Sequence, residues 1–307
     1  MALKVNSLRK KYGDYYAVKH LSFTIDKPGV FALLGTNGAG KTTAIRVILG
    51  MLAKESGDVT WNDRPLDVVG ERVGYLAEER GLYPKYNILE QMYYFASLKG
   101  LSKKDATPAI DYWFGRLKID EYRKKRAEQL SKGNQQKVQL AAALVADPNL
   151  LILDEPMSGL DPVNADLFKS IIREQIEKQK FIIMSSHQMA TVEEFCENIA
   201  IMNRGEVALQ GNLNQIKKGY GRVNLSVKAD TNILGLAKEC GLEPISHTPN
   251  QTDFKVKEEK QAGELLNKIV SNNITLVKFE LREPTLHEIF VEKVTGKVII
   301  GGGGDTE

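Results

Sequence analysis

The sequence predicts an α/β fold with a large parallel-sheet domain and a smaller C-terminal domain. Three short apolar runs, Val30–Leu34, Leu150–Leu153 and Phe181–Met184, are continuous rather than alternating, as in strands covered on both faces. A glycine-rich turn follows the first run, and helical patterns lie between the runs. Beyond about residue 221 the pattern changes to short strands and amphipathic helices. A length of 307 residues suits one large domain and one smaller domain.

The glycine-rich turn predicts a phosphate-binding loop. It fits the pattern Gly-x4-Gly-Lys-Thr and reads Gly35-Thr36-Asn37-Gly38-Ala39-Gly40-Lys41-Thr42-Thr43. A strand precedes it and a helix-compatible segment follows, which is the context of a P-loop NTPase rather than of a glycine turn with an unrelated lysine. Glycines let the backbone wrap round phosphates, and the amides of the following helix point at negative charge. Lys41 is expected to contact the β- and γ-phosphates, and the Thr42 hydroxyl to bind Mg²⁺.

Helix-start signals predict a helical subdomain inserted at about residues 79–145. Asn87 and Ser102 are each followed three residues later by an acidic residue, which is the pattern of a capping box. Apolar residues at helical spacing follow both starts. Trp113 and Phe114 belong to this pattern and are predicted to be core residues.

The C-terminal part predicts a small domain of its own. Lys217–Gly221 is a candidate linker after a first domain of residues 1–218. Strands and helices then follow in the order β-α-β-α-β over 222–294, with room for one more strand near Pro244–His247. This order predicts an open-faced α/β sandwich of ferredoxin-like type. Residues 295–307 are predicted to form a disordered, glycine-rich tail.

Four further motifs follow the phosphate loop in a characteristic order. They are Leu130-Ser131-Lys132-Gly133-Asn134-Gln135-Gln136, Leu150-Leu151-Ile152-Leu153-Asp154-Glu155-Pro156, Ser158-Gly159-Leu160-Asp161 and Ser186-His187. In order and spacing they resemble the signature motif, Walker B strand, D-loop and switch histidine of ATP-binding cassette (ABC) ATPases. The resemblance covers about residues 3–213 and is specific, because independent motifs coincide.

The acidic pair after the second apolar run has a chemical role in this scheme. Asp154 at a strand end can hold Mg²⁺ through water, and Glu155 can take the proton from an attacking water as general base. By resemblance His187 contacts the γ-phosphate, whereas a buried structural histidine is the alternative. Glu155, His187 and Lys41 are therefore the predicted catalytic residues.

Two more contacts with ATP are implied by the resemblance. Ser131 and Gly133 open a helix, so that the hydroxyl and amide can bind phosphate oxygen, by resemblance on the nucleotide of the opposite subunit. Tyr12 stands where the family has an aromatic residue that stacks on adenine. Tyr15 and Tyr16 are nearby alternatives.

The sequence departs from the family pattern at two places. Lys132 and Asn134 replace a glycine and the glutamine of the common Leu-Ser-Gly-Gly-Gln signature. Glu78 stands where a family member normally carries glutamine as Mg²⁺ ligand and positioner of water. A carboxylate can still bind Mg²⁺, but its added negative charge near the γ-phosphate is expected to slow turnover.

The resemblance narrows further to exporters. The loop Glu78–Pro84 and the ending Glu283–Phe290 resemble ATPase subunits of the sodium-efflux and drug-resistance group. This implies an ATP-hydrolysing subunit that dimerises around two MgATP, with itself or with a related cassette, and drives a separate integral membrane permease. A soluble ABC ATPase of translation or DNA repair is the alternative. The first usually has tandem cassettes and the second a long coiled coil, for which sustained heptads are absent here.

Composition bounds the cellular setting. A net charge of +3 gives no indication of nucleic-acid binding. Two cysteines, Cys196 and Cys240, suit a reducing compartment. No run approaches the roughly 20 apolar residues that span a bilayer, nor is there a signal-type N-terminus. The expected location is cytoplasmic, peripheral on the inner face of the membrane through the permease.

Overall fold

The computed structural model describes residues 1–79, 81–249 and 251–300. Contacts between Cα atoms divide the chain into two compact units. The first unit contains Met1–Gln188 and Phe195–Gln210, and the second contains Met189–Glu194 and the chain from Gly211 onward. Each unit is therefore discontinuous in sequence.

The elements alternate between strands and helices along most of the chain. The strands are β1 (Leu3–Tyr12), β2 (Tyr15–Ile25), β3 (Gly29–Leu34), β4 (Ser56–Trp61), β5 (Arg64–Pro65), β6 (Gly74–Leu76), β7 (Leu150–Asp154), β8 (Phe181–Ser186), β9 (Cys196–Asn203), β10 (Glu206–Asn212), β11 (Asn224–Ala229), β12 (Pro244–Thr248), β13 (Gln251–Lys255) and β14 (Leu276–Arg282). The α-helices are α1 (Lys41–Ile48), α2 (Ile88–Leu98), α3 (Lys103–Leu117), α4 (Lys132–Leu144), α5 (Pro162–Glu177), α6 (Met189–Phe195), α7 (Leu213–Tyr220), α8 (Leu234–Glu239), α9 (Glu259–Ser271) and α10 (Leu286–Thr295).

The large sheet confirms the three predicted inner strands. Its order is β5-β4-β1-β2-β10-β9-β3-β8-β7-β6, and β8 lies between β3 and β7 and is parallel to both. All residues of β7 and β8 are buried, as continuous apolar runs predict. Because parallel strands end at the same edge, the segments that follow β3, β7 and β8 are brought together there.

Apolar packing holds α1 and the antiparallel strands against the parallel part of the sheet. Phe23 stacks on Phe31 with ring centroids 4.4 Å apart, and Trp61 meets Phe181 edge-on at 5.1 Å. Ile45 of α1 is fully buried in the same cluster. The start of α1 is thereby positioned at the end of β3.

The helical subdomain forms where it was predicted. The side chains of Asn87 and Ser102 accept hydrogen bonds from the amides three residues later, at 2.8 and 3.2 Å, and cap α2 and α3. Trp113 and Phe114 are buried at 6% and 0% exposure, as expected of core residues. In the same way Asp161 caps α5 through the amide of Asn164 at 2.9 Å.

The second unit confirms the ferredoxin-like prediction. Its antiparallel sheet has the order β12-β13-β11-β14, and β12 is the additional strand expected near Pro244–His247. With α8 between β11 and β12, and α9 between β13 and β14, the order is β-α-β-β-α-β. One face of the sheet packs on the helices through a separate apolar core that includes Leu225, Phe254 and Leu265.

Two details differ from the sequence prediction or extend it. The candidate linker Lys217–Gly221 is helical as far as Tyr220, because Lys217 and Lys218 form the last turn of α7. The chain beyond 294 continues α10 to Thr295, and Ile300 is buried at 4% exposure. Residues 301–307 of the predicted tail, and Arg80 of the loop after β6, lie outside the described residues. Among the described helices, none has the length and apolarity to cross a membrane.

Candidate functional site

A cavity of about 400 Å³ lies in the first unit, at the end of β3 and the start of α1. Most predicted nucleotide-binding residues line it. The lining residues are Tyr12, Tyr15, Ala17, Thr36, Asn37, Gly38, Ala39, Gly40, Lys41, Thr42, Thr43, Glu78 and Glu155. The cavity therefore joins the phosphate loop to a carboxylate from the end of β7.

The backbone of the loop explains its last glycine. Gly40 has φ 105°, and a Cβ atom there would lie 2.2 Å from the carbonyl oxygen of Ala17. A side chain is thus excluded both by conformation and by space. The amides at the start of α1 remain directed to the cavity, where they favour negative charge.

Lys41 is buried at the floor of the loop, with 6% exposure. Its Nζ donates to the carbonyl oxygens of Gly35 at 2.8 Å and Thr36 at 3.4 Å. It also lies 3.3 Å from Glu155 Oε1. A triphosphate entering the loop can replace these oxygens, because phosphate oxygens are strong acceptors for an ammonium group.

Two neighbouring strand ends hold the acidic pair. The Ser185 hydroxyl at the end of β8 donates to Asp154 Oδ1 at 2.5 Å and accepts from the Glu155 amide at 2.9 Å. Burial raises the pKa of the Asp154 carboxyl above its usual range, against the hydrogen bonds from Ser185 and Thr42. Glu155 follows β7 with φ 48°, a left-handed conformation that non-glycine residues seldom adopt.

These carboxylates fit a divalent cation. Asp154 Oδ2 and Glu155 Oε1 are buried oxygens without a hydrogen-bond partner among the described residues. Glu155 Oε1 has the nearby Lys41 charge at ion-pair distance, but Asp154 Oδ2 has neither. Thr42 Oγ1 lies 3.5 Å from Glu78 Oε2. Oxygen donors of this kind are the ligands that Mg²⁺ prefers.

His187 lies beside the predicted base. Its Nδ1 is 2.9 Å from Glu155 Oε2, and half of its side chain is exposed. It is therefore not a buried structural histidine. Lys41, Glu155 and His187 form one connected cluster next to the cavity.

The structure does not bring every predicted site residue to this cavity. Ser131 and Gly133 lie at the start of α4 and are not among its lining residues. Ser131 is exposed and accepts from the Asn134 amide at 3.3 Å, and a Cβ at Gly133 would lie 3.3 Å from the side chain of Asn164. This placement leaves them available to a second molecule, as the resemblance implies.

Two aromatic residues flank the cavity mouth. Tyr12 and Tyr15 both line it and are 48% and 56% exposed. Tyr16 instead contacts the side chains of Arg9 and Lys11, whose cationic groups lie 5.1 and 5.4 Å from its ring. Tyr12 keeps its predicted place, and Tyr15 is a second candidate for stacking on a base.

Sequence reasoning missed the role of Ser185. It quoted this serine only as the neighbour of the histidine motif. The available signal was a small polar residue at the end of a buried strand, level with the acidic pair at the end of another. Ala17, whose carbonyl excludes a side chain at position 40, had no sequence signal.

Comparisons with known proteins agree with this geometry. The ABC transporter family profile matches residues 18–158, and that of the ATP-binding protein DrrA1-3-like C-terminal domain matches residues 211–294. The uncharacterised ABC transporter ATP-binding protein YhaQ of Bacillus subtilis is 41% identical over 293 residues, covering 95% of this chain and 98% of YhaQ.

Two further proteins extend the comparison. The linearmycin resistance ATP-binding protein LnrL of Bacillus subtilis is 27% identical, covering 97% of this chain and 99% of LnrL. The structure of cbiO1 from Clostridium perfringens, part of the ABC transporter complex cbiONQ, matches with a TM-score of 0.59 and 30% identity. That match covers 70% of this chain and 89% of cbiO1.

Proposed function

Because this chain belongs to the family of ABC transporter ATP-binding proteins, we propose that it is the ATP-hydrolysing subunit of an exporter. Family membership implies ATP as substrate. The observation that carries the proposal is the cluster of Lys41, Glu155 and His187 beside the phosphate loop. The soluble ATPase of translation or DNA repair is not favoured, since the relatives described above are transporter proteins.

The cluster has the parts that phosphoryl transfer to water requires. Lys41 exchanges its loop carbonyls for the β- and γ-phosphate oxygens and offsets their charge. Glu155 accepts the proton of the attacking water. His187, bonded to Glu155 through Nδ1, orients that carboxylate and contacts the γ-phosphate.

The cation site completes the arrangement. Thr42, Asp154 and Glu78 are the residues that would hold Mg²⁺. The ion offsets phosphate charge when bound. Ser185 keeps Asp154 and the backbone of Glu155 in register, so that metal ligand and base stay adjacent.

Assembly with partners is part of the proposal. Ser131 and Gly133, away from the cavity of their own chain, bind the nucleotide of a second cassette in an ATP-bound dimer, either a homodimer or a dimer with a related subunit. The dimer drives a separate integral membrane permease from the cytoplasmic face. The names of LnrL, a resistance protein, and cbiO1, part of a transporter complex, support an exporter of this kind.

The test begins with phosphate release from ATP by the purified chain, with and without Mg²⁺. The membrane protein that co-purifies is then reconstituted with the chain in vesicles. We expect Mg²⁺-dependent hydrolysis that increases with the permease present. Absence of hydrolysis under both conditions would contradict the proposal.

The carboxylate at Glu78 gives a prediction specific to this chain. Glu78→Gln restores the usual group of the family beside Thr42 and removes a negative charge near the γ-phosphate. ATPase activity is expected to be preserved or raised, because repulsion of the phosphates is reduced. Steady-state rates at several Mg²⁺ concentrations check this.

Glu79→Gln is the matched control for that substitution. Its carboxylate is one residue further on, 85% exposed, and lies 3.6 Å from Arg46 at the surface. A collapse of activity in Glu78→Gln alone would assign Glu78 a base-like role of its own.

The second unit is predicted to regulate the ATPase or support its dimer, since it contains none of the ATP motifs. It has its own apolar core. Ending the chain after Gln210 is therefore expected to leave a folded cassette that binds MgATP, with changed dimerisation or coupling. Calorimetry and thermal melting provide the measurement. An insoluble product, or one that melts far below the full chain, would instead make this unit a packed extension needed for stability.

A further inference from the structure

Helix α6 connects the candidate site to the second unit along the chain. It begins at Met189, two residues after His187. The intervening turn is closed by Ser186, whose Oγ accepts from the Gln188 amide at 2.9 Å. Yet Met189–Glu194 groups by contacts with the second unit, whereas His187 and Gln188 belong to the first. A constraint on α6 therefore acts two residues from the histidine.

Glu193 provides such a constraint. Its Oε1 accepts a hydrogen bond from the Leu286 amide at 2.7 Å, at the first residue of α10. The same oxygen pairs with Lys217 Nζ of α7 at 2.5 Å. The Glu193 carboxylate thus satisfies one of the free amides of α10, at the end of the helix that favours negative charge.

The start of α10 is itself held firmly. Glu288 is 4% exposed and accepts from Arg282 through both carboxylate oxygens, at 2.8 and 2.7 Å. It also accepts from the Asn224 side chain at 2.7 Å and from the Thr285 amide at 2.8 Å. Because Asn224 and Arg282 belong to β11 and β14, the amide that Glu193 binds is anchored to the ferredoxin-like sheet.

We propose that Glu193 is a positioning residue for ATP hydrolysis, holding α6 to α10 so that His187 keeps its contact with Glu155. The proposal rests on the function proposed above. Its route runs from the sheet through Arg282, Glu288 and the first turn of α10 to Glu193, and from there along α6 to the histidine. The second unit thereby sets the rate of hydrolysis without touching the nucleotide.

The decisive comparison uses the full-length chain with Glu193→Ala. Losing the carboxylate removes the bonds to Leu286 and Lys217, so α6 and His187 gain freedom. The turnover number is expected to fall by about three- to tenfold, the range for coupling through packed elements. The KM for ATP should stay within about twofold, because Lys41 and the phosphate loop are unchanged.

Matched variants separate positioning from general damage. Glu197→Ala is the control, since Glu197 is an exposed carboxylate of β9 for which the described residues give no ion pair. Lys217→Ala removes only the ion pair, and Glu193→Gln keeps an acceptor for the Leu286 amide, so both should show smaller losses of turnover. These two variants keep the test decisive if Glu193→Ala does not fold.

A double-mutant cycle with His187 shows whether Glu193 acts through it. In a His187→Ala background, Glu193→Ala is expected to cause no further loss of turnover, because the two residues share one effect. Amide hydrogen exchange should also become faster over residues 187–195 in Glu193→Ala and stay unchanged in Glu197→Ala.

Several results would overturn the proposal. Unchanged turnover in Glu193→Ala, or in both milder variants if Glu193→Ala does not fold, would do so. An equal loss with and without His187 would assign Glu193 a separate effect. These outcomes require a wild-type chain that hydrolyses ATP; a wild-type chain that does not would refute the proposed function instead.

Discussion

Replacing Glu155 by glutamine is expected to leave MgATP binding intact and abolish most turnover. The glutamine keeps the shape and the hydrogen bond to His187 but cannot accept the proton of the attacking water. Loss of a general base typically costs about 10²- to 10⁴-fold in rate. The trapped nucleotide should hold two cassettes together, so an ATP-bound dimer accumulates. Single-turnover hydrolysis and light scattering measure the two effects.

The control for this variant is Glu177→Gln, an identical change at an exposed position near the end of α5. It should behave as wild type in both measurements. Wild-type turnover in Glu155→Gln would mean that another group is the base, and Glu78 in the same cavity would be the first candidate.

Local patterns carried most of the sequence prediction. The runs at β3, β7 and β8 and the glycine pattern before Lys41 each depend on neighbours along the chain, so one sequence reveals them. The conjunction of Lys41, Glu155 and His187 was predictable because each ends or follows a strand of the same parallel sheet.

What sequence reasoning missed depends on distant pairing. The role of Ser185 requires β7 and β8 to pair with Asp154 opposite it. The bond of Glu193 to Leu286 joins residues 93 positions apart. The helical state of Lys217–Tyr220 was hidden because lysines beside glycines resemble a linker in composition alone.

Replacing Lys41 by alanine is expected to weaken nucleotide binding itself. Nζ is the cationic donor buried at the loop, and a hydrogen bond to a charged group contributes roughly 1.5–3 kcal/mol. ATP affinity measured by calorimetry should therefore fall by about 10- to 100-fold. Glu155 Oε1 also loses the charge 3.3 Å away, so the free protein should melt at a lower temperature.

Lys124→Ala is the corresponding control, since Lys124 is exposed in the helical subdomain. Neither ATP affinity nor melting temperature should change in it. Unchanged affinity in Lys41→Ala would contradict the assignment of the loop as a phosphate site.

The discontinuous second unit has a consequence for building chimaeras between related subunits. A junction placed only near residue 211 would transplant α7 and α10 but leave the host's residues 189–194 in place. The incoming Leu286 amide and Lys217 would then face whatever side chain the host has at position 193. Functional exchange of the C-terminal unit therefore requires two crossover points, with the six-residue segment moved together with its partners.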